Sequence, residues 1–178
     1  MDRYLFGAIN NLALNRGKIA FISGPRQVGK TTLSKQLSKK FDQIQYLNWD
    51  ESEFRRIWTK YPNKITEKFD LTLLDKSRLV ILDEIHKSKG WKQKLKGLYD
   101  HFAEELKFIV TGSARLNIFK KGSDSLLGRY LNFRLHPLSY GELSNAGILD
   151  PEMWKKSIFT PTHETNSQTV VEKLFSLG

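Results

Sequence analysis

The sequence predicts an α/β fold around a central, mostly parallel sheet. Three observations carry that expectation: short apolar runs bounded by turns, helical segments between them, and a glycine-rich loop joining the first run to the helix behind it. Arg78-Leu79-Val80-Ile81-Leu82 is the clearest run, uninterrupted as a strand covered on both faces should be.

The elements follow in order. Tyr4, Leu5, Ala8, Ile9 and Leu12 recur at helical spacing and predict an N-terminal helix ending near Asn15-Arg16-Gly17. Lys18–Ser23 reads as the first strand, and Val28, Leu33, Leu37 and Phe41 mark the helix after the loop. Gln43–Asn48 alternates as a second strand. Residues Asp50 to Asp75 look helical, with a break at Tyr61-Pro62-Asn63. Strands at Arg78–Leu82, Lys107–Thr111 and Tyr130–Leu135 complete a set of five, with a lysine-rich helix between the third and fourth. A last helix is expected through Val170, Val171, Leu174 and Phe175.

A chain of 178 residues is long enough for one domain with a proper core, and 39% hydrophobic content argues against disorder. Without cysteine, neither disulfides nor a thiolate zinc site can contribute. The chain has no apolar run of membrane-spanning length and its first residues lack a signal-peptide core, so a cytoplasmic protein with no membrane partner is expected. The net charge of +10 favours polyanionic partners. Its densest stretch, His86 to Lys96, has two readings. It is either a nucleic-acid patch, or the solvated face of a helix that buries Trp91, Leu95, Leu98 and Phe102.

Gly24-Pro25-Arg26-Gln27-Val28-Gly29-Lys30-Thr31 fits the phosphate-cradling pattern G-x-x-x-x-G-K-[ST] at every fixed position. Strand, loop and helix come in the order such a loop needs. Gly24 and Gly29 let the backbone turn its N–H groups inward, and the following helix adds its positive dipole end. Lys30 is expected to reach the β- and γ-phosphates and Thr31 to coordinate Mg²⁺. Thr32 is either a contact to the α-phosphate or a plain first-turn residue.

Asp83 and Glu84 close the third strand, at the edge where open α/β sheets bind ligands. Asp83 is expected to hold Mg²⁺ through water, and Glu84 to polarise a water for attack on the γ-phosphate. The adjacent pair Asp50-Glu51 reads as a helix start. Thr111 and Ser113 end the fourth strand; should it lie between the first and third, either hydroxyl could sense the γ-phosphate, with Ser113 preferred.

These motifs, with Leu82-Asp83-Glu84-Ile85-His86-Lys87, Leu127-Gly128-Arg129-Tyr130 and the stretch from Leu135 to Glu142, together resemble the archaeal and bacterial AAA-type ATPases. The resemblance runs from the N-terminal helix to Glu142. It implies a three-layer P-loop NTPase fold with strand order 5-1-4-3-2, ATP and Mg²⁺ as ligands, and Glu84 and Ser113 in catalysis. It also makes Arg129 a candidate arginine finger acting in trans within a homo-oligomer; the alternative is that Arg129 merely pairs with a carboxylate at a strand start. Residues 1–150 form the ATPase domain in this reading. Relatives continue well beyond the Pro-Leu-Ser-Tyr region, so residues 151–178 are expected to begin a second domain that is truncated or missing.

Three functions follow from the residues. The first is a Mg²⁺-dependent ATPase whose nucleotide state drives conformation or assembly. The second is a nucleic-acid-binding module regulated by ATP, and the third a phosphotransferase. The last lacks the Arg-rich lid usual in small kinases, since the 115–129 segment holds only Arg115 and Arg129.

Overall fold

The computed structural model describes residues 3–73, 75–113, 126–139 and 142, so the expected helix near Val170 and the 151–178 extension lie outside the described residues. The chain divides into two compact units, Leu5–Pro137, and Met1–Tyr4 together with Leu138–Gly178.

Five strands build the larger unit: β1 (Ile19–Gly24), β2 (Gln43–Asn48), β3 (Arg78–Asp83), β4 (Lys107–Ser113) and β5 (Tyr130–Arg134). They form one sheet ordered β2-β3-β4-β1-β5, and all four pairings are parallel. This is the 5-1-4-3-2 order that the resemblance implied. Each strand lies within a residue or two of its sequence-predicted bounds: the central β1, β3 and β4 are buried on both faces and leave an apolar run, while the edge strand β2 alternates.

The helices are α1 (Leu5–Ala8), α2 (Lys30–Ser38), α3 (Ser52–Lys60) and α4 (Trp91–Phe102). On one face of the sheet, Phe21, Val80, Leu82, Phe108 and Val110 meet Phe54 and Trp58 of α3 and Leu95 and Leu98 of α4 in a single buried cluster. On the other face lie α2 and the N-terminal turns, with Ile9, Ala13, Leu14, Leu33 and Leu37 all buried. Helices, sheet and helices make the expected three layers.

Two sequence expectations need correction. The N-terminal helix does not hold one phase: α1 passes into a π-helical turn over Ile9–Ala13, then a 3₁₀ turn over Leu14–Arg16. The extra residue per turn rotates the apolar face, so Ala13 and Leu14 are buried while Leu12 is 44% exposed. The chain then stops at Gly17, whose φ of 67° is left-handed, as a helix terminus favours.

The helical run expected as far as Asp75 ends earlier. A 3₁₀ turn over Pro62–Thr66 follows α3, and beyond Phe69 side chains share the backbone bonding. Asp70 accepts from Thr72 N at 3.0 Å, while the buried Arg78 guanidinium takes the carbonyls of Asp70 and Leu73.

In the smaller unit, Glu142 binds Arg3 at 2.9 Å and accepts from Ser139 N at 2.9 Å, while Glu142 N donates back to Ser139 Oγ at 3.3 Å. That reciprocal arrangement is a capping box.

Candidate functional site

The loop between β1 and α2 curls because two of its residues are left-handed: Gln27 with φ of 63° and Gly29 with φ of 90°. Glycine takes that conformation freely, whereas Gln27 is strained by it. Gly29 caps α2, so the first N–H groups of that helix face the loop's concavity. Gly24 has a different reason for lacking a side chain. A Cβ there would stand 2.4 Å from the carbonyl oxygen of Leu135, which follows β5 and donates its own N–H to Ser23. The residue is fixed by strand packing as well as by the loop's turn.

An open cavity of about 350 Å³ lies over the loop, lined by Arg26, Gln27, Gly29, Lys30, Thr31, Thr32, Asp83 and Glu84. Pro25 and Val28 do not line it. The Pro25 carbonyl accepts from Lys30 Nζ at 2.6 Å, and Val28 is buried. Lys30 Nζ also donates to Gly24 O at 3.1 Å, so the ammonium is folded back on its own loop. Burial lowers its pKa from the ordinary lysine value, against the opposing pull of Glu84 and Asp83. A larger depression, about 480 Å³, is lined by residues from Lys60 to Glu67, away from the sheet edge that carries the loop.

Asp83 ends β3 beside the loop, and three hydroxyls converge on its carboxylate. Thr31 Oγ1 donates to Oδ2 at 3.3 Å, Tyr46 OH donates to the same oxygen, and Thr111 Oγ1 donates to Oδ1. Strand register explains the meeting. Thr111 stands directly opposite Asp83 across β3 and β4, and Tyr46 is opposite Ile81, on the face that Asp83 shares. Thr111 is fully buried and Asp83 nearly so. Burial and the Asp83 charge push the Tyr46 phenol well above its ordinary pKa, keeping it a donor. Oxygen donors from Thr31 and Asp83 at one spot are the hard ligand set that Mg²⁺ prefers, so the residues fit that ion.

Glu84 follows with a left-handed φ of 58°, and its N–H donates to Thr111 O at 3.0 Å. The turn holds its carboxylate at the cavity wall, with Oε2 3.6 Å from His86 Nε2 and 3.9 Å from Lys87 Nζ. Ser113 does sit on a strand between β1 and β3, and its Oγ is 3.4 Å from His86 Nε2. Thr111, the second sensor candidate, is committed to Asp83.

Arg129 lies elsewhere. It precedes β5, and its carbonyl accepts from Ile19 N at 2.9 Å, which puts it at the sheet edge opposite the phosphate loop. Its guanidinium grips Asp100 of α4 with Nε–Oδ1 at 2.6 Å and Nη2–Oδ2 at 3.2 Å. Six strand residues span roughly 20 Å, so Arg129 cannot reach the loop of its own chain.

Much of the lysine-rich stretch is committed to other groups. Lys87 binds Asp50 at 2.8 Å, Lys96 binds Asp100 at 2.8 Å, and Lys94 donates to Trp58 O and Thr59 O at 3.0 and 3.1 Å, capping α3. Sequence reasoning missed Tyr46 and His86 as site residues. The signal for Tyr46 was its parity on β2 once β2 neighbours β3, and for His86 its place just after Asp83-Glu84.

Residues 16–144 match the AAA domain family. The chain belongs to that family. An uncharacterised protein of Haemophilus influenzae is 28% identical to this AAA domain over 145 residues, covering 75% of this chain and 35% of its own. An uncharacterised protein of Mycobacterium tuberculosis is 25% identical over 155 residues, covering 87% and 33% respectively. The chain thus spans about a third of these relatives' length. Among solved structures, C. elegans PCH-2 superposes with a TM-score of 0.53 at 16% identity, over 92% of this chain and 53% of that one. A DNA replication initiation factor superposes with a TM-score of 0.51 at 14% identity, over 97% and 58%. At those identities the likeness is one of fold. Family and fold make this a domain of the P-loop ATPase kind.

Proposed function

We propose that this AAA domain binds ATP with Mg²⁺ at the Gly24–Thr31 loop and hydrolyses it, its nucleotide state altering conformation or assembly. The observation that carries the reading is the convergence of Thr31 and Asp83 at 3.3 Å beside a left-handed loop and Glu84. A triphosphate supplies the anion that the inward N–H groups and the helix dipole favour. Lys30 then leaves the carbonyls of Gly24 and Pro25 for the β- and γ-phosphate oxygens, exchanging neutral acceptors for charged ones.

Thr31 and Asp83 would hold Mg²⁺, which when bound neutralises charge on the β- and γ-phosphates. Glu84 orients a water and accepts its proton as the water oxygen attacks the γ-phosphorus; ADP leaves and phosphate is released. Ser113 contacts the γ-phosphate or that water. A trans role for Arg129 requires a neighbouring subunit and the breaking of its pair with Asp100, so the geometry favours a bracing role for Arg129 in this chain. A cytoplasmic setting, where ATP is present, goes with this reading. So does homo-oligomerisation, a common habit of AAA domains.

Phosphate release by the purified protein tests it, with Lys30→Ala and Glu84→Gln as controls. Lys30→Ala should lose binding and turnover together. Glu84→Gln should keep binding and lose turnover by roughly 10²-fold or more. Equal release from all three proteins would end the proposal.

A further inference from the structure

His86 is half-buried beside the site, and the hydrolytic scheme above gives it no part. Its Nε2 lies 3.4 Å from Ser113 Oγ and 3.6 Å from Glu84 Oε2, while its Nδ1 is buried without a hydrogen-bond partner among the described residues. Three elements set that position: the 3₁₀ turn Ile85–Lys87 that carries His86, the end of β4 that carries Ser113, and the turn at Glu84.

The surroundings favour one position for the hydrogen of a neutral imidazole. On Nδ1 the N–H would be buried and unanswered, a more costly state than an unanswered lone pair. On Nε2 it faces two oxygen acceptors. Burial lowers the pKa of His86, opposed by Glu84 and Asp83 and reinforced by Lys87 and Lys30, which fits the neutral ring.

One N–H lies between two oxygens, with Ser113 Oγ at 3.4 Å within hydrogen-bond reach and Glu84 Oε2 at 3.6 Å just outside it. We propose that His86 is a positioning residue tying the Ser113 hydroxyl to the Glu84 carboxylate, so that a triphosphate engaging Ser113 changes how Glu84 is held. When Ser113 donates its O–H to a γ-phosphate oxygen, its own oxygen becomes a better acceptor for His86 Nε2–H. The imidazole then turns fully to Ser113 and the carboxylate is freed to take a water. In the empty site Glu84 shares that donor and is held off. The inference rests on the reading of Glu84 as the base.

Two measurements on the full chain decide it. In steady-state turnover, Ser113→Ala should lower kcat roughly tenfold with KM unchanged, because the His86 Nε2–H is then left to Glu84 alone. Adding His86→Ala should recover part of that loss, since nothing then holds Glu84 off. His86→Asn, which keeps a donor beside Glu84, should recover less. A double variant as poor as Ser113→Ala or poorer, or a raised KM with kcat intact, would overturn the link.

The second measurement does not need turnover. Imidazole nitrogen resonances should show His86 as the Nε2–H tautomer, with Nε2 shifted in Ser113→Ala. A non-hydrolysable ATP analogue should move that resonance in the wild type and leave it in place in Ser113→Ala. If the analogue moves the loop amides but not His86, the inference fails and the ATP site stands. If the loop amides do not respond, the ATP site fails, and the Ser113→Ala spectrum alone decides the His86 contact.

Discussion

The Thr111 hydroxyl donates to the Asp83 carboxylate from the adjacent strand, at a position with no solvent exposure. The parallel register of β3 and β4 makes the two residues partners, and the bond aims one carboxylate oxygen into the sheet and the other toward Thr31 and Tyr46. Thr111→Val keeps the shape and removes that donor. It should cost about 1–3 kcal/mol in urea unfolding, because a buried carboxylate oxygen loses a partner. Thr111→Ser should cost clearly less, and equal losses would show that the hydroxyl is not what matters.

Gly24→Ala tests the packing role of the loop's first glycine. Its Cβ would meet the Leu135 carbonyl oxygen at 2.4 Å, and that atom is backbone, unable to swing aside. A loss of about 1–3 kcal/mol is expected, visible as a lowered midpoint in thermal unfolding. An unchanged midpoint would mean that β5 yields easily.

The Arg129–Asp100 pair gives a pH signature. The Arg129 hydrogen bonds, with those of Lys96, hold the Asp100 pKa at about 2, below its ordinary 3.8. A depressed carboxylate contributes stability that is present above pH 3.8 and lost as pH falls toward 2. The stability advantage of the wild type over Asp100→Asn should therefore shrink across that interval, and a constant difference would contradict the pairing. Asp100 is exposed and Arg129 about a third exposed, so the effect is small. Should Arg129 instead act in trans, turnover per molecule would rise with protein concentration and vanish in Arg129→Ala.

The same accounting of charges bears on nucleic acid. Lys87, Lys94 and Lys96 are engaged within the fold, so duplex binding through that stretch should be weak and no stronger than for a generic basic protein. Titration at two salt concentrations checks this. Tight binding with a steep salt slope, abolished by neutralising Lys92 and Lys94, would favour the regulated nucleic-acid reading.

The central strands were legible in the sequence because burial on both faces writes an uninterrupted apolar run, as at Leu79–Leu82, whereas the edge strand β2 showed only alternation. Their order was not legible from residues, since buried parallel strands look alike; it came from the resemblance. The π turn at Ile9–Ala13 was hidden because apolar residues such as Ile9 and Leu12 sit at helical spacing whichever of them is buried. Within the site, the loop could be read because its residues are contiguous. Tyr46 and His86 could not. One reaches Asp83 only through strand register, and the other meets Ser113, 27 positions further along the chain.

Direct titration of ATP in the presence of Mg²⁺, comparing the wild type with Lys30→Ala and Glu84→Gln, tests the central claim most directly. The wild type and Glu84→Gln should bind with similar affinity, and Lys30→Ala at least roughly tenfold more weakly, since one charged contact to phosphate is lost. Equal binding by all three, or none by the wild type, would contradict the assignment of the Gly24–Thr31 loop as the triphosphate site.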